Sequence, residues 1–143
     1  MSANDIAARV AATMLSREGT GPAWGIEIEE AREGYARISM RLRADMLNGH
    51  GTAHGGMIFA LADTAFAYAC NSRNMKSVAA QASISFLDAA REGERLTAEA
   101  QAQALAGRSG VYNVSVRGED GRFIAIFQGL SRTIGGPIIG DQT

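Results

Sequence analysis

Apolar and polar positions alternate with two different periods along this chain. Residues 2–15 have helical spacing, with Ile6, Val10, Ala11 and Met14 on one side. Ser2 with Asp5 three residues on forms an approximate capping box. Gly19, Gly21 and Pro22 break the pattern, so residues 1–20 predict an N-terminal helix and a turn. Residues 24–29 then alternate Trp24, Ile26 and Ile28 against Gly25, Glu27 and Glu29. Glu33-Gly34 turns the chain, and residues 35–43 alternate Ala36, Ile38, Met40 and Leu42 against Arg37, Ser39, Arg41 and Arg43. The pair predicts a β-hairpin. A glycine-rich loop follows, with Gly49, Gly51, Gly55 and Gly56. It leads into a run from Met57 to Cys70 that is apolar except for Asp63 and Thr64. That run has the length of a helix, and a helix apolar on nearly every side is a buried one.

Period two returns after residue 76. Residues 77–87 place Val78, Ala80, Ala82, Ile84 and Phe86 on one face. Residues 96–104 place Leu96, Ala98, Ala100, Ala102 and Ala104 on one face, a row small enough to let a helix approach closely. Residues 111–117 and 122–133 are the last two strands, joined across Gly118-Glu119-Asp120-Gly121. The order is two strands, one long helix, then four strands with short turns. It predicts an α+β fold in which a curved, mostly antiparallel sheet of about six strands wraps one central helix, with a short N-terminal helix in addition. Residues 1–143 are expected to form a single domain, with 135–143 a glycine-rich flexible tail.

Composition narrows the function. Hydrophobic residues are 46 % of the chain and the net charge is −1, which gives no footprint for nucleic acid. Cys70 is the sole cysteine, so no intrachain disulfide forms. The N-terminus shows no secretory-type charged and apolar regions, and the longest apolar run is too short and too interrupted to span a membrane. The expected location is the cytoplasm.

Asp63 is the residue that needs a reason, because a carboxylate in a buried helix is unfavourable unless paired, hydrogen-bonded or used. A helix starting near Gly55 presents free N–H groups that suit an oxyanion. Asp63 lies eight residues further, about 12 Å along the axis at ~1.5 Å per residue. One helix cannot bring both groups to one substrate atom, so cooperation requires a second copy and a site at a subunit interface. The plainer alternative is an Asp that caps a loop or pairs with an Arg. His50 and His54 are four apart, but glycines surround them and no third ligand is evident, so no metal is expected. Gly49, Gly51 and Gly55 resemble a loose dinucleotide fingerprint without the βαβ frame it needs. Cys70, Tyr68 and Phe66 read as core or pocket lining, and Asn113-Val114-Ser115 carries no weight without secretion. Arg73 and Lys76, just past the helix, are weaker candidates for phosphate contact.

The residues 46–50 (MLNGH), 54–56 (HGG) and 61–72 (LADTAFAYACNS), with Gly110-Val111-Tyr112 and residues 132–136 (RTIGG), resemble the PaaI-type acyl-CoA thioesterases of phenylacetate degradation, within the hotdog-fold superfamily. The resemblance implies hydrolysis of aryl-acetyl thioesters, such as phenylacetyl-CoA or hydroxyphenylacetyl-CoA, to the acid and CoA. CoA is part of the substrate, and no cofactor is implied. It also implies that the Gly55 N–H polarises the carbonyl, and that Asp63 of the neighbouring subunit acts as general base or nucleophile. Asn48 then orients water or the carboxylate, and His54 supports the loop or contacts the thioester. Arg108 and Ser109, with Thr64 and Gly56, are the candidates for holding CoA or the acyl group. The related 4-hydroxybenzoyl-CoA branch uses a helix Glu with a Thr one turn later. Here Asp63 is followed at that spacing by Ala67. A homotetramer built as a dimer of dimers is implied. The alternatives are a hotdog acyl-thioester hydratase or dehydratase, and a non-enzymatic acyl-CoA-binding module.

Overall fold

The computed structural model describes residues 1–140. The elements are α1 (Ala3–Arg17), α2 (Thr20–Trp24), β1 (Glu27–Arg32), β2 (Tyr35–Arg41), α3 (Gly55–Cys70), β3 (Ser77–Phe86), β4 (Arg95–Ala106), β5 (Ser109–Arg117) and β6 (Phe123–Thr133). The strands form one sheet in the order β1-β2-β4-β5-β6-β3, with every neighbouring pair antiparallel. α3 lies against β4, β2 and β5 most extensively. This is the hotdog arrangement.

The sheet closes on α3 because β4 offers it almost no side-chain bulk. Ala98 and Ala100 are fully buried beneath the helix, as is Leu96. The helix fills the resulting groove with Leu61, Ala65, Phe66 and Ala69. Phe66 meets Tyr112 of β5 edge-on at 5.6 Å, and Phe59 meets Phe127 of β6 at 5.4 Å, both favourable aromatic geometries. Gly129 of β6 is where this packing is tightest. A Cβ there would fall 2.8 Å from the Phe66 ring, which is itself 1 % exposed and has no room to retreat. Gly129→Ala is therefore expected to destabilise the fold by about 1–3 kcal/mol, read from urea unfolding at fixed protein concentration.

The α1 capping box forms as expected: the Ser2 hydroxyl accepts from the Asp5 N–H and the Asp5 carboxylate from the Ser2 N–H. Three expectations change. Trp24 does not open a strand. It ends α2, which the left-handed Gly25 terminates at φ 67°. The row along β3 is not one uniform face: Ala82 and Ile84 pack against the core, whereas Val78 is 46 % and Phe86 53 % exposed. β3 is a sheet edge, and a bulge between Ala79 and Gln81 breaks its alternation. The tail is tied down as far as it is described. The side chain of Asn74 accepts from the Ile138 and Ile139 N–H groups and donates to the Ile139 carbonyl, and Ile139 is buried. Residues 141–143 lie outside the described residues. Among those described, no helix is long and apolar enough to cross a membrane.

Candidate active site

The start of α3 leaves one amide free. His54 is the N-cap, and its Nδ1 accepts from the Gly56 N–H at 2.9 Å. The Met57 and Ile58 N–H groups turn back onto the His54 carbonyl. Among the described residues the Gly55 N–H has no acceptor, although it carries the positive end of a 16-residue helix. Among the described residues the Gly55 N–H is left free, whereas Gly56 commits its own to the cap. His54 supports the loop through Nδ1.

The loop before it is fixed by Asn48. Its Oδ1 accepts from the His50 N–H at 2.9 Å and the Thr52 N–H at 3.2 Å, an Asx-type turn, and its Nδ2 donates to Thr52 Oγ1 at 3.0 Å. Two further backbone bonds, from Ala53 N–H to the Ala90 carbonyl and from His54 N–H to the Met46 carbonyl, pin the loop's end. In this protomer Asn48 therefore shapes the loop that aims Gly55 and is not joined to Asp63. Phe86, at the end of β3, lays its ring over Gly55, 3.2 Å from where a Cβ would stand.

Asp63 sits on the exposed side of α3 and is half-buried. No side chain or backbone group among the described residues hydrogen-bonds or ion-pairs with it, which removes the plainer reading of an Arg-paired or loop-capping Asp. Burial holds its carboxyl pKa above the usual 3.8. It opens into a cavity of about 500 Å³. The floor of this cavity is the stripe Ala60, Asp63, Thr64, Ala67 and Tyr68, and the roof includes Met14, Glu18 and Trp24 from the N-terminal segment. Ala60 and Ala67 give it depth. The Thr64 hydroxyl is turned inward, donating to the Ala60 carbonyl at 2.7 Å.

The remaining candidates lie elsewhere. Arg108 sits in the turn between β4 and β5, beside Met75 and Ile134 in a pocket of about 200 Å³. Ser109 pairs with Arg132 across the sheet and lines a small pocket with Cys70 and Arg73, at the C-terminal end of α3. Neither pocket includes Gly55 or Asp63 of the same protomer. Arg73 is engaged with Glu33 at 3.0 Å. Cys70 is buried, its thiol pushed up to about 12 by burial and secondarily by the Asp63 charge, which leaves it protonated and unreactive. No cluster of three or more metal-ligating side chains occurs among the described residues.

Sequence reasoning did not anticipate Met14, Glu18, Trp24 and Phe86 around these groups. Trp24 carried the one usable signal, as a lone Trp in a segment whose other positions are small or charged. A free N–H on a helix dipole and an unpaired carboxylate whose proton affinity burial raises, facing a cavity, are suited to stabilising a carbonyl oxyanion and accepting a proton.

Comparison with known proteins places the chain in a family. A family model described as "Thioesterase superfamily" matches residues 50–125, more than half of the chain. The acyl-coenzyme A thioesterase PaaI of Escherichia coli K12 is 42 % identical over 128 residues, 90 % of this chain and 91 % of that one. The structure of the E. coli PaaI protein from the phenylacetic acid degradation operon superposes with a TM-score of 0.93 at 40 % identity, covering 95 % of this chain and 99 % of that one. A hypothetical thioesterase of Streptococcus pneumoniae, solved with coenzyme A, superposes with a TM-score of 0.76 at 26 % identity over 78 % of this chain and 90 % of its own. By the family model, these identities and its fold, this chain belongs to the thioesterase superfamily.

Proposed function

We propose that the protein hydrolyses acyl-CoA thioesters, with aryl-acetyl groups such as phenylacetyl or hydroxyphenylacetyl as the acyl part. The observation that carries this reading is the pair on α3. Among the described residues the Gly55 N–H has no acceptor and the Asp63 carboxylate no partner, and the two lie eight residues apart on one rigid helix. At ~1.5 Å per residue that is about 12 Å, so a complete site takes Gly55 from one subunit and Asp63 from the next. The Gly55 N–H draws negative charge onto the thioester oxygen as the carbonyl carbon becomes tetrahedral. Asp63 either removes a proton from the attacking water or attacks first and is released by water. In both cases the C–S bond breaks, the CoA sulfur leaves as thiolate and takes up a proton, and water's oxygen ends in the acid. Asn48 and His54 hold the loop that aims Gly55.

Self-association is supported by β3. It is an unpaired sheet edge carrying exposed Val78 and Phe86, and such an edge is a template for pairing. Phe86 also touches Gly55, so a dimer formed there brings its interface to the site. We extend the dimer to a dimer of dimers on the family resemblance. The E. coli relative named an acyl-CoA thioesterase and the S. pneumoniae relative solved with coenzyme A support acyl-CoA as the substrate. The pocket of Arg108 is the candidate for the CoA phosphates, supplied from a different protomer than the Gly55 it serves. The cytoplasm, where acyl-CoA esters are formed and used, is the proposed location, and no cofactor enters the reaction.

The test is thiol release, followed with a coloured thiol reagent, from phenylacetyl-CoA, a hydroxyphenylacetyl-CoA and a straight-chain acyl-CoA. Release that favours the aryl esters is expected. Binding of the esters without release of thiol would replace this reading with the hydratase or the binding module.

A further inference from the structure

Arg122, in the turn between β5 and β6, joins three carboxylates and one backbone carbonyl. Its Nε faces Asp88 Oδ2 at 3.3 Å. Its Nη1 donates to Glu94 Oε1 and to Asp120 Oδ1, both at 2.8 Å. Its Nη2 donates to Glu94 Oε2 at 3.0 Å and to the Ala89 carbonyl at 2.7 Å. Glu94 Oε2 also accepts from the Arg91 N–H at 2.7 Å. The hydrogen bonds from Arg122 hold the Glu94 and Asp120 carboxyls below their usual range, so the network stays charged.

The segment gripped in this way, residues 88–91, belongs to no helix or strand. Arg122 and the Glu94 carboxylate fix it at Asp88, Ala89 and Arg91, on both sides of Ala90. Ala90 is fully buried, and its carbonyl accepts from the Ala53 N–H at 2.8 Å. Ala53 stands two residues before Gly55. One backbone bond therefore connects the seat of the guanidinium to the loop that opens α3. The fold leaves room for that seat. A Cβ on Gly118 would fall 2.7 Å from Arg122 Nη1 and 3.1 Å from Glu94 Oε1.

Stability alone does not account for the arrangement. The Asp88 and Asp120 side chains are 53 % and 64 % exposed, and ion pairs of that kind stabilise a fold little. What the guanidinium supplies is geometry: a planar fork that holds several acceptors at fixed angles, which a Lys ammonium on one point cannot do.

We infer that Arg122 is a positioning residue for the reaction, aiming the Gly55 N–H by fixing the backbone at Ala89 and Ala90 on which the loop before α3 is anchored. The inference rests on the proposed role of the Gly55 N–H and adds the remote group that keeps it in place. A misplacement of about 1 Å at a reacting centre costs up to about 10²-fold. Loss of the fork should thus lower kcat by about 10-fold to 10²-fold, without exceeding the loss in Gly55→Pro. KM should move little, because the donor acts chiefly in the transition state.

The experiment measures kcat and KM on phenylacetyl-CoA for Arg122→Gln, Arg122→Lys and Gly118→Ala, each made in wild type and in Gly55→Pro. In the wild-type background Arg122→Gln should lower kcat, and Arg122→Lys should restore little of it. Gly118→Ala keeps Arg122 and only displaces its guanidinium. It should lower kcat in the same direction, and it carries the test if Arg122→Gln does not fold. In the Gly55→Pro background none of the three should lower kcat further, since the amide being aimed is gone. Equal losses in both backgrounds would make Arg122 a structural residue and overturn the inference. So would wild-type kcat in both Arg122→Gln and Gly118→Ala. If wild type released no thiol, or Gly55→Pro kept its full kcat, the reading of the site itself would fall and take this inference with it.

Discussion

Replacing Asp63 with Asn should lower kcat on an aryl-acetyl-CoA ester by about 10²–10⁴-fold, the range of a lost general base, and more if the carboxylate is itself the nucleophile. Asn keeps the size and shape of the side chain and removes only the ability to take a proton or form an anhydride. The loss should not be accompanied by unfolding. The folded chain holds the Asp63 proton more tightly than the unfolded chain does, because burial disfavours the anion. As pH rises above the ordinary carboxylate value, ionisation of Asp63 therefore subtracts from stability. The substituted amide has no charge to bury. The Tm of Asp63→Asn at neutral pH should thus equal or exceed that of wild type. The difference should close at a pH below 3.8, the ordinary value, where both folded and unfolded Asp63 are protonated. The same shift places the acid limb of the wild-type kcat/KM profile above 3.8. A fall in Tm together with activity would mean that Asp63 is a structural residue.

Replacing Gly55 with Pro should lower kcat by about 10²–10³-fold, the effect of removing one oxyanion donor. The substitution is unusually clean. Gly55 is the first residue of α3, and the first helical position accepts Pro because its N–H has no helical partner. The residue before a Pro must be extended, and His54 already is, at φ −64° and ψ 133°. What is lost is the one amide hydrogen that the start of α3 leaves free. Gly55→Ala is the control. It retains the N–H and adds a Cβ 3.2 Å from the Phe86 ring, a contact that a shift of a few tenths of an ångström relieves. Ala should keep most of the activity that Pro removes, with both checked by helical circular dichroism. Equal losses in the two variants would assign the effect to crowding against Phe86.

How far these groups were legible in the sequence depended on how local their physics is. α3 could be read to its first residue, since glycines open it and apolar residues fill it. The free Gly55 N–H followed from that start. That Gly56 has none to offer did not, because it depends on the rotamer of His54. Leu96, Ala98 and Ala100 were legible as a helix-facing row, whereas the matching row on β3 was right only at Ala82 and Ile84. Alternation reports a strand with two unlike faces, but not whether the fold places that strand at the sheet's edge. Trp24 fitted a strand pattern over a few residues and was decided by Gly25 and by packing on the cavity. The hydrogen bond from Tyr68 to Glu18 was invisible, as any contact across 50 residues is without a partner motif to announce it. Arg108 and Ser109 were legible as loop and strand start, but their distance from Gly55 within one chain emerges only from the folded sheet.

In the proposed enzyme each site draws Gly55 and Asp63 from different subunits, and mixing the two inactive variants tests this most directly. Gly55→Pro and Asp63→Asn proteins are combined in equal amounts, their subunits are reassorted, and thiol release is measured. A mixed dimer then contains one site with both defects and one with neither. Activity is expected to return, to about a quarter of wild type at random reassortment. If the two groups belonged to one chain, every site would keep a defect. A mixture that exchanges subunits and stays inactive would contradict the shared site.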